Sequence, residues 1–331
     1  MKELSFAQNF SVIALNAQDS LHLTTAKKVF LRCMAAATIL ELYLDNGFKT
    51  EGDFLILNQE DLNSPEISRY HKAVLKTLFS KKETLSEQLP QYLKKVTKLS
   101  KKMLKEVEHA FAVALTEANA LEEIPALLGC DLEYVTAGIS MKEYRSNSEL
   151  FSRLTESLRA ETLETGPMTD EAILMLWLLR ESGCIHDFFS REELKRVAER
   201  IFELQGSSSL AKQVFPITIH KTIEMGIKNF LKSKKDVMST ASGSGINFVF
   251  PVIERSQSVF IDTEKVFANK EERLRDIKAR LESKGHIFTV IREGEVPLIK
   301  IDNVLYEAVP SAKLYRIPVH GVRLRKYPLS L

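Results

Sequence analysis

The stretch FLRCMAAATILELYLDNGFK, from Phe30 to Lys49, restricts the fold more than any other part of the chain. It is rich in small and apolar residues, and it stops at Asn46-Gly47, a pair typical of helix ends. Small residues let neighbouring helices approach closely. The stretch therefore predicts a buried helix over residues 25–45, in which Glu41 is a polar interruption.

Helical patterns recur along the first two thirds of the chain. Ser5 with Gln8, and Ser190 with Glu193, have the spacing of a capping box at a helix start. Gly183 is typical of a helix end. The predicted helices cover 4–15, 25–45, 65–80, 86–110, 147–163, the segment from Thr169 or Asp170 to Gly183, the segment after Ser190, and 217–232. DFLILN (53–58) and LEYVTAG (132–138) have the composition of strands.

The pattern changes at Lys232. KSKKDVMSTASGSG (232–245) is polar and rich in Gly and Ser, as linkers are. Beyond it the sequence predicts strands and one charged helix over 269–284. The strand segments are NFVFPVI, SVFID, HIFTVIRE, PLIKID and KLYRIPV. We therefore expect a mainly α protein: a helical domain over 1–231, a linker over 232–245, and a small α/β appendage with a mixed sheet over 246–331.

The charge balance and the cysteine content exclude several classes of protein and of metal site. The 331 residues include 46 basic and 44 acidic ones, so the net charge is +2 and the chain is not a bulk polycation. The three cysteines, Cys33, Cys130 and Cys184, lie far apart, and the spacing of a zinc site or disulfide framework is absent. His220, His286 and His320 are isolated in the sequence. We expect neither a metal nor a cofactor.

The distribution of apolar residues bears on localisation. The first ten residues, MKELSFAQNF, lack the continuous apolar core of a signal peptide. Charged residues interrupt the apolar runs before they reach the length that spans a bilayer. The sequence predicts a cytoplasmic protein, and this leaves room for peripheral attachment to a membrane.

The predicted helix over 86–110 has two distinct faces. Val96, Leu99, Met103 and Val107 form the apolar one. The opposite face carries a row of lysines. The simplest interpretation is a solvated surface, and the alternative is contact with phosphates or anionic lipid head groups. The row consists of Lys94, Lys98, Lys101 and Lys105.

The C-terminal segment YRIPVHGVRLRKYP combines basic and aromatic residues. Such a mixture can bind RNA or another phosphate-bearing surface. A basic edge strand that discourages sheet-to-sheet association explains the composition equally well. The basic residues of this segment are Arg316, Arg323, Arg325 and Lys326.

Cys184 and His186, in GCIHDFF, are the residue types of a nucleophile and its base. However, the sequence places no second histidine or carboxylate to orient the imidazole. A buried cysteine beside a histidine at a helix joint is the simpler interpretation. We therefore expect a protein without enzymatic activity.

Two blocks of the chain resemble the Golgi phosphoprotein 3 family. In the first block, Leu4-Ser5-Phe6 matches the family's opening and Leu40-Glu41-Leu42 matches its aliphatic-Glu-Leu triplet, with Asn46-Gly47-Phe48-Lys49 at the following turn. The second block runs from Ser146 to Ile201. Its matching positions are Arg153-Leu154, Asp170, Ile173 to Leu179, and Arg196 to Ile201. The resemblance covers about residues 3–205 and leaves the C-terminal region unmatched.

The resemblance implies a mostly helical, non-enzymatic protein. Eukaryotic members of that family bind phosphatidylinositol 4-phosphate on Golgi membranes and retain glycosyltransferases there. Their lipid pocket uses one tryptophan and three arginines. Ala26 stands at the tryptophan position, Ala35 at the first arginine, and Lys105 and Glu108 near the other two. Three nearby cations can substitute for the missing ones, since phosphate requires positive charge more than exact positions; they are Lys27, Lys28 and Arg32.

The sequence thus favours a peripheral adaptor that binds either an anionic membrane surface or an unidentified protein partner. If the nearby cations replace those of the family's pocket, the membrane ligand is a phosphoinositide. The candidate contacts are Lys27, Lys28, Arg32, Lys94, Lys98, Lys101 and Lys105. The alternative is a nucleic-acid or regulatory binding protein that uses the basic C-terminal sheet, although nucleic acid is the less favoured partner. An oligomer is compatible with either hypothesis.

Overall fold

A computed structural model of the chain describes residues 3–58, 60, 67–79, 84–219, 258–263, 269–314 and 318–327. Several sequence predictions fall on other residues. The linker 232–245, the strand NFVFPVI, the part of the helix 217–232 that follows residue 219, and Arg316 lie outside the described residues.

The first two helices form as the sequence predicts. Helix α1 (Phe6–Leu15) begins after Ser5, and the reciprocal hydrogen bonds between Ser5 and Gln8 confirm the capping box. Helix α2 (Thr25–Leu44) packs against α1. It ends at a turn in which Asn46 has a φ of 55° and the Gly47 N–H donates to the Leu42 carbonyl at 2.7 Å. The helix is buried along most of its length.

Within the described ranges, eight further helices belong to the helical part of the molecule. Most are amphipathic and cover the buried α2 and α8. Trp177 of this part is completely buried, and the capping box of Ser190 with Glu193 and the helix end at Gly183 are confirmed. The helices are α3 (Arg69–Phe79), α4 (Leu89–Lys95), α5 (Lys101–Glu117), α6 (Leu132–Thr136), α7 (Ser148–Leu163), α8 (Asp170–Ser182), α9 (Arg191–Ser207) and α10 (Ser209–Val214).

The prediction of one continuous helix over 86–110 is wrong. Helix α4 ends at Lys95, a short 3-10 turn follows over Val96–Lys98, and Leu99 is extended. Ser100 then caps α5 by accepting a hydrogen bond from the Met103 N–H. Because Val96 and Leu99 are buried on either side of the break, the apolar pattern continues where the helix does not.

Two small sheets accompany these helices. Strands β1 (Lys49–Glu51), β2 (Phe54–Asn58) and β3 (Thr84–Glu87) pair in that order, and β4 (Leu121–Pro125) pairs with β5 (Lys142–Ser146). All of these pairings are antiparallel. The strand-like segment LEYVTAG forms helix α6 instead, because Asp131 caps it by accepting from the Glu133 N–H.

The C-terminal region contains a five-stranded sheet and helix α11 (Lys270–Ser283). Consecutive strands joined by short turns pair antiparallel, and here every pairing is antiparallel. Among its described strands the sheet is therefore antiparallel and not the predicted mixed sheet, and the molecule is mixed α/β rather than mainly α. The strand order is β6-β10-β9-β8-β7, where β6 is Ser258–Asp262, β7 Phe288–Arg292, β8 Leu298–Ile301, β9 Val304–Leu314 and β10 Pro318–Lys326.

The five-stranded sheet and the helical part share buried contacts. Leu127 and Cys130, which follow β4, lie in the same hydrophobic cluster as the sheet and α11. The Asp131 carboxylate accepts from the Phe260 N–H at 2.6 Å, and the Asn303 side chain donates to the Ser146 carbonyl at 2.7 Å. These bonds fix the sheet on the β4–β5 side of the helices.

The described helices contain none that combines the length and the apolar character needed to cross a membrane.

Candidate anion-binding surface

Residues 94–105 form a surface segment, here called the basic segment, with five exposed lysines. They come from three elements that follow one another: the end of α4, the 3-10 turn and the start of α5. The break in the predicted helix places the end of one helix and the beginning of the next within this segment. The five lysines are Lys94, Lys98, Lys101, Lys102 and Lys105.

The start of α5 concentrates positive charge at an unusual place. The N-terminus of a helix carries a partial positive charge and unpaired N–H groups, so acidic residues stabilise it. The first turn of α5 contains no acidic residue and begins with Lys101 and Lys102. The lysines and the helix dipole repel one another there, and a bound anion would relieve that repulsion.

The lysines of the basic segment also lack partners of opposite charge. None of the five forms an ion pair with a residue that the structure describes, whereas neighbouring Lys95 lies 2.7 Å from Glu87. Glu108, on the same helix, points inward and is buried. Glu106 is exposed beside Lys105, but it forms no ion pair with these lysines in the described ranges, so the start of α5 presents an excess of cations.

Lys27 is not a surface cation. Its side chain is 1% exposed and forms an ion pair with Glu108 of α5. Its ammonium group also donates to the backbone carbonyls of Asp19 and His22. The contacts account for the three donors of the group, so Lys27 holds the 19–22 turn and α5 against α2 and does not face a ligand.

The remaining family-related positions of α2 are also inside or half inside the protein. Ala26 and Ala35 are completely buried. Lys28 and Arg32 are half-buried, and burial lowers the pKa of the Arg32 guanidinium. The structure does not bring a cluster of exposed cations together on this helix. Of the lysines and the arginine that the sequence predicts as anion contacts, the fully exposed ones therefore lie in the basic segment.

The basic residues of the C-terminal sheet have local partners. Arg323 donates to the Ser258 hydroxyl at 3.0 Å and lies over the Phe260 ring. Lys326 lies 3.7 Å from Asp187. Arg325 is exposed, but Glu307 is its neighbour in the strand register of β9 and β10. These residues do not form an open cationic surface.

Cys184 and His186 are both buried in a 3-10 turn after Gly183, whose φ is 80°. Cys184 lines a cleft of about 610 Å³ between the helical part and the C-terminal sheet. Phe151 and Arg159 of α7 lie on the helical side, and Lys300 of β8 lies on the other. Arg159 is held by Glu193 at 2.7 Å. The cleft is lined by both charges and by aromatic rings, and it favours no single ligand class.

A cluster that sequence reasoning missed lies where β5 meets the C-terminal sheet. His286 lies between two partners: its Nδ1 is 2.5 Å from Asp302 Oδ2, and its Nε2 is 3.6 Å from the Cys130 sulfur. Glu143 of β5 lies beside them. His286 is isolated in sequence from Cys130 and Glu143, so no local spacing could have revealed the cluster.

The electrostatics of this cluster differ from group to group. Burial lowers the pKa of His286, but its hydrogen bonds with Asp302 and Cys130 outweigh burial and raise that pKa to about 9. Burial raises the pKa of Asp302, but bonds from His286 and the Ile287 N–H hold it below its usual value. Burial raises the pKa of Glu143 to about 7, against a hydrogen bond from the Leu127 N–H. Glu143 has no ion-pair partner among the described residues, and the charge on nearby His286 offsets only part of the effect of burial.

Comparison of the chain with models of known protein families and with curated proteins finds no match.

Proposed function

We propose that this protein is a non-enzymatic peripheral adaptor that binds an anionic membrane surface through the basic segment. One observation carries the proposal: five exposed lysines, without ion-pair partners in the described ranges, lie at the positively polarised start of α5 and in the residues just before it. A cytoplasmic location, where the membrane surface is negative, fits this role.

The proposed mechanism is charge attraction and not recognition in a closed pocket. Each basic residue near an anionic membrane contributes about 1 kcal/mol, and salt weakens the attraction within a Debye length of about 10 Å. The resemblance to the Golgi phosphoprotein 3 family supports the same kind of surface. Ala26 and Ala35 stand where that family has pocket side chains, so we expect anionic lipids in general to be bound.

Co-sedimentation of the full chain with liposomes tests the proposal. The vesicles are neutral, rich in phosphatidylserine, or supplemented with phosphatidylinositol 4-phosphate, each at low and at physiological salt. We expect binding to both anionic vesicles, weakened by salt. Stronger binding to the phosphoinositide vesicles than to the phosphatidylserine vesicles would indicate a specific head-group site and contradict binding by a general anionic surface. Failure of the wild-type chain to bind any anionic vesicle would overturn the proposal.

A pair of charge-reversal variants locates the contact. In the first, Lys98, Lys101, Lys102 and Lys105 become glutamate. In the second, four exposed lysines outside the basic segment become glutamate, so that the net charge changes equally; these are Lys49, Lys195, Lys212 and Lys284. We expect more than about 100-fold weaker binding for the first variant and a much smaller loss for the second. Equal losses would show that net charge alone, and not this surface, controls binding.

A further inference from the structure

Glu143, His286 and Asp302 come together from three separate segments. Glu143 lies on β5 of the helical part, His286 lies between α11 and β7, and Asp302 occupies the turn between β8 and β9. One potential ligand atom from each lies within 4.8 Å of those from the other two. All three residues are less than one tenth exposed.

The backbone holds Asp302 firmly in this position. Asp302 and Asn303 form a two-residue hairpin turn in which both have positive φ, 47° and 70°. The Asn16 side chain donates to the Asp302 carbonyl at 3.3 Å, and Asn303 bonds to Ser146. The turn is therefore fixed to the helical part by its own two residues.

In the cluster Asp302 Oδ2 and His286 Nδ1 lie 2.5 Å apart and share a proton, which a metal ion would have to displace. Oδ1 of Asp302 accepts from the Ile287 N–H and from Arg145, both at 3.0 Å, so Oδ2 is the oxygen directed at His286. If His286 Nε2–H donates to the Cys130 sulfur, the neutral ring presents its lone pair on Nδ1. Ligand histidines commonly use their second nitrogen in this way.

The charges of the cluster are compatible with a bound cation that replaces the His286 proton. A buried carboxylate without a counter-ion is costly. Arg145 lies beside Asp302, but no ion pair to Glu143 is found among the described residues. Once a divalent ion has displaced the proton shared by His286 and Asp302, two carboxylates and a neutral imidazole together balance its charge.

We propose that Glu143, His286 and Asp302 bind one divalent transition-metal ion of the zinc type, which joins the helical part to the C-terminal sheet. Imidazole nitrogen and carboxylate oxygen are established zinc ligands, with bonds of about 2.0–2.2 Å and hence about 3.3 Å between ligand atoms in a tetrahedron. For an ion between Asp302 Oδ2, His286 Nδ1 and the Glu143 carboxylate, the 2.5 Å between Oδ2 and Nδ1 would have to widen, while the three ligand atoms already lie within 4.8 Å of one another. The site does not depend on the proposed membrane function.

Zinc binding to the chelator-treated full chain tests the proposal. Equilibrium dialysis against zinc chloride gives the number of ions per chain and the affinity, and thermal unfolding with and without zinc gives a second readout. We expect one ion per wild-type chain and a higher Tm in its presence. Absence of binding by the folded wild-type chain at micromolar zinc would overturn the proposal.

Two variants and one control assign the ligands. Glu143→Gln keeps the shape and the acceptor for the Leu127 N–H, so we expect it to fold and to bind zinc more than about tenfold more weakly. Asp302→Asn is expected to lose the ion as well. His320→Gln replaces an exposed histidine on β10 and should bind as the wild type does. Wild-type affinity in a folded Glu143→Gln protein would overturn the assignment even if Asp302→Asn failed to fold.

Cobalt substitution distinguishes this ligand set from cysteine ligands. The wild-type complex with Co²⁺ should show tetrahedral absorption bands without a sulfur-to-cobalt charge-transfer band, because Cys130 lies behind the imidazole ring. A strong charge-transfer band would contradict the proposed ligand set, since it would place a thiolate on the ion.

Discussion

The Glu41 carboxylate on α2 accepts a hydrogen bond from the backbone N–H of Ala7, in the first turn of α1, at 2.7 Å. Its other oxygen accepts from the Tyr70 hydroxyl at 2.7 Å and lies 3.0 Å from His71 on α3. An N–H at a helix start has no partner within the helix, and a negative charge there is favourable. The polar interruption of α2 therefore joins three helices at one buried point.

Replacement of Glu41 by glutamine should destabilise the protein. The glutamine side chain keeps one acceptor oxygen, but an NH₂ group replaces the second oxygen. That NH₂ group then faces a hydrogen-bond donor, so a buried polar group is left without a partner. We expect a loss of about 2–3 kcal/mol in the free energy of unfolding, measured by urea denaturation. Glu106→Gln, at an exposed position of α5, is the control and should change stability by less than about 0.5 kcal/mol. Equal effects of the two substitutions would contradict this role of Glu41.

The same carboxylate should make stability depend on pH in the acid range. Burial raises the pKa of Glu41, but the bonds from His71, Ser5, Tyr70 and the Ala7 N–H outweigh it and hold the pKa below its ordinary value of 4.5. A carboxyl group with a lowered folded-state pKa stabilises fully above its unfolded pKa, and the contribution disappears as the pH falls through the folded value. The stability difference between wild type and Glu41→Gln should therefore be constant at neutral pH and shrink below about pH 4. A constant difference down to pH 2 would show that Glu41 does not titrate as described.

Lys27 offers a test that separates stability from membrane binding. Lys27→Met leaves Glu108 buried without its partner and should cost about 3–5 kcal/mol, whereas adding Glu108→Leu should recover much of the loss. Because Lys27 is buried, affinity for anionic vesicles should remain at the wild-type level at a temperature where the variant is folded. Lys28→Met, at a half-buried position beside it, is the control. Weaker vesicle binding by the folded Lys27 variant would restore Lys27 to the set of lipid contacts.

Gly321 on β10 should tolerate no side chain. A Cβ there would overlap the Ile261 carbonyl oxygen and lie 2.9 Å from the Asp262 Cα, both in the paired strand β6. Gly321→Ala should therefore lower the free energy of unfolding by about 1–3 kcal/mol through strain between the strands. Gly206→Ala is the opposite case, because Gly206 lies in α9 with open space around it and alanine favours helix. The two variants should shift Tm in opposite directions.

The basic segment shows how far a periodic pattern can be trusted. The spacing of Val96, Leu99 and Val107 correctly separates buried from exposed residues, and the lysines between them are exposed. The same spacing predicts one helix and misses the break before Ser100. Burial can continue through a 3-10 turn, so the apolar pattern alone does not distinguish a continuous helix from two helices joined there.

The sequence by itself determined several helix ends, because caps act within three or four residues: Ser5 with Gln8, Ser190 with Glu193, and Gly183 function in the structure as their types predict. Only the tertiary structure decided that the molecule is mixed α/β, that Lys27 is buried against Glu108, and that Glu143 meets His286 and Asp302. These contacts join residues from 16 to more than one hundred positions apart. Such partners are brought together by tertiary packing, which depends on burial and charge. The local spacing of residues in the sequence therefore does not predict them.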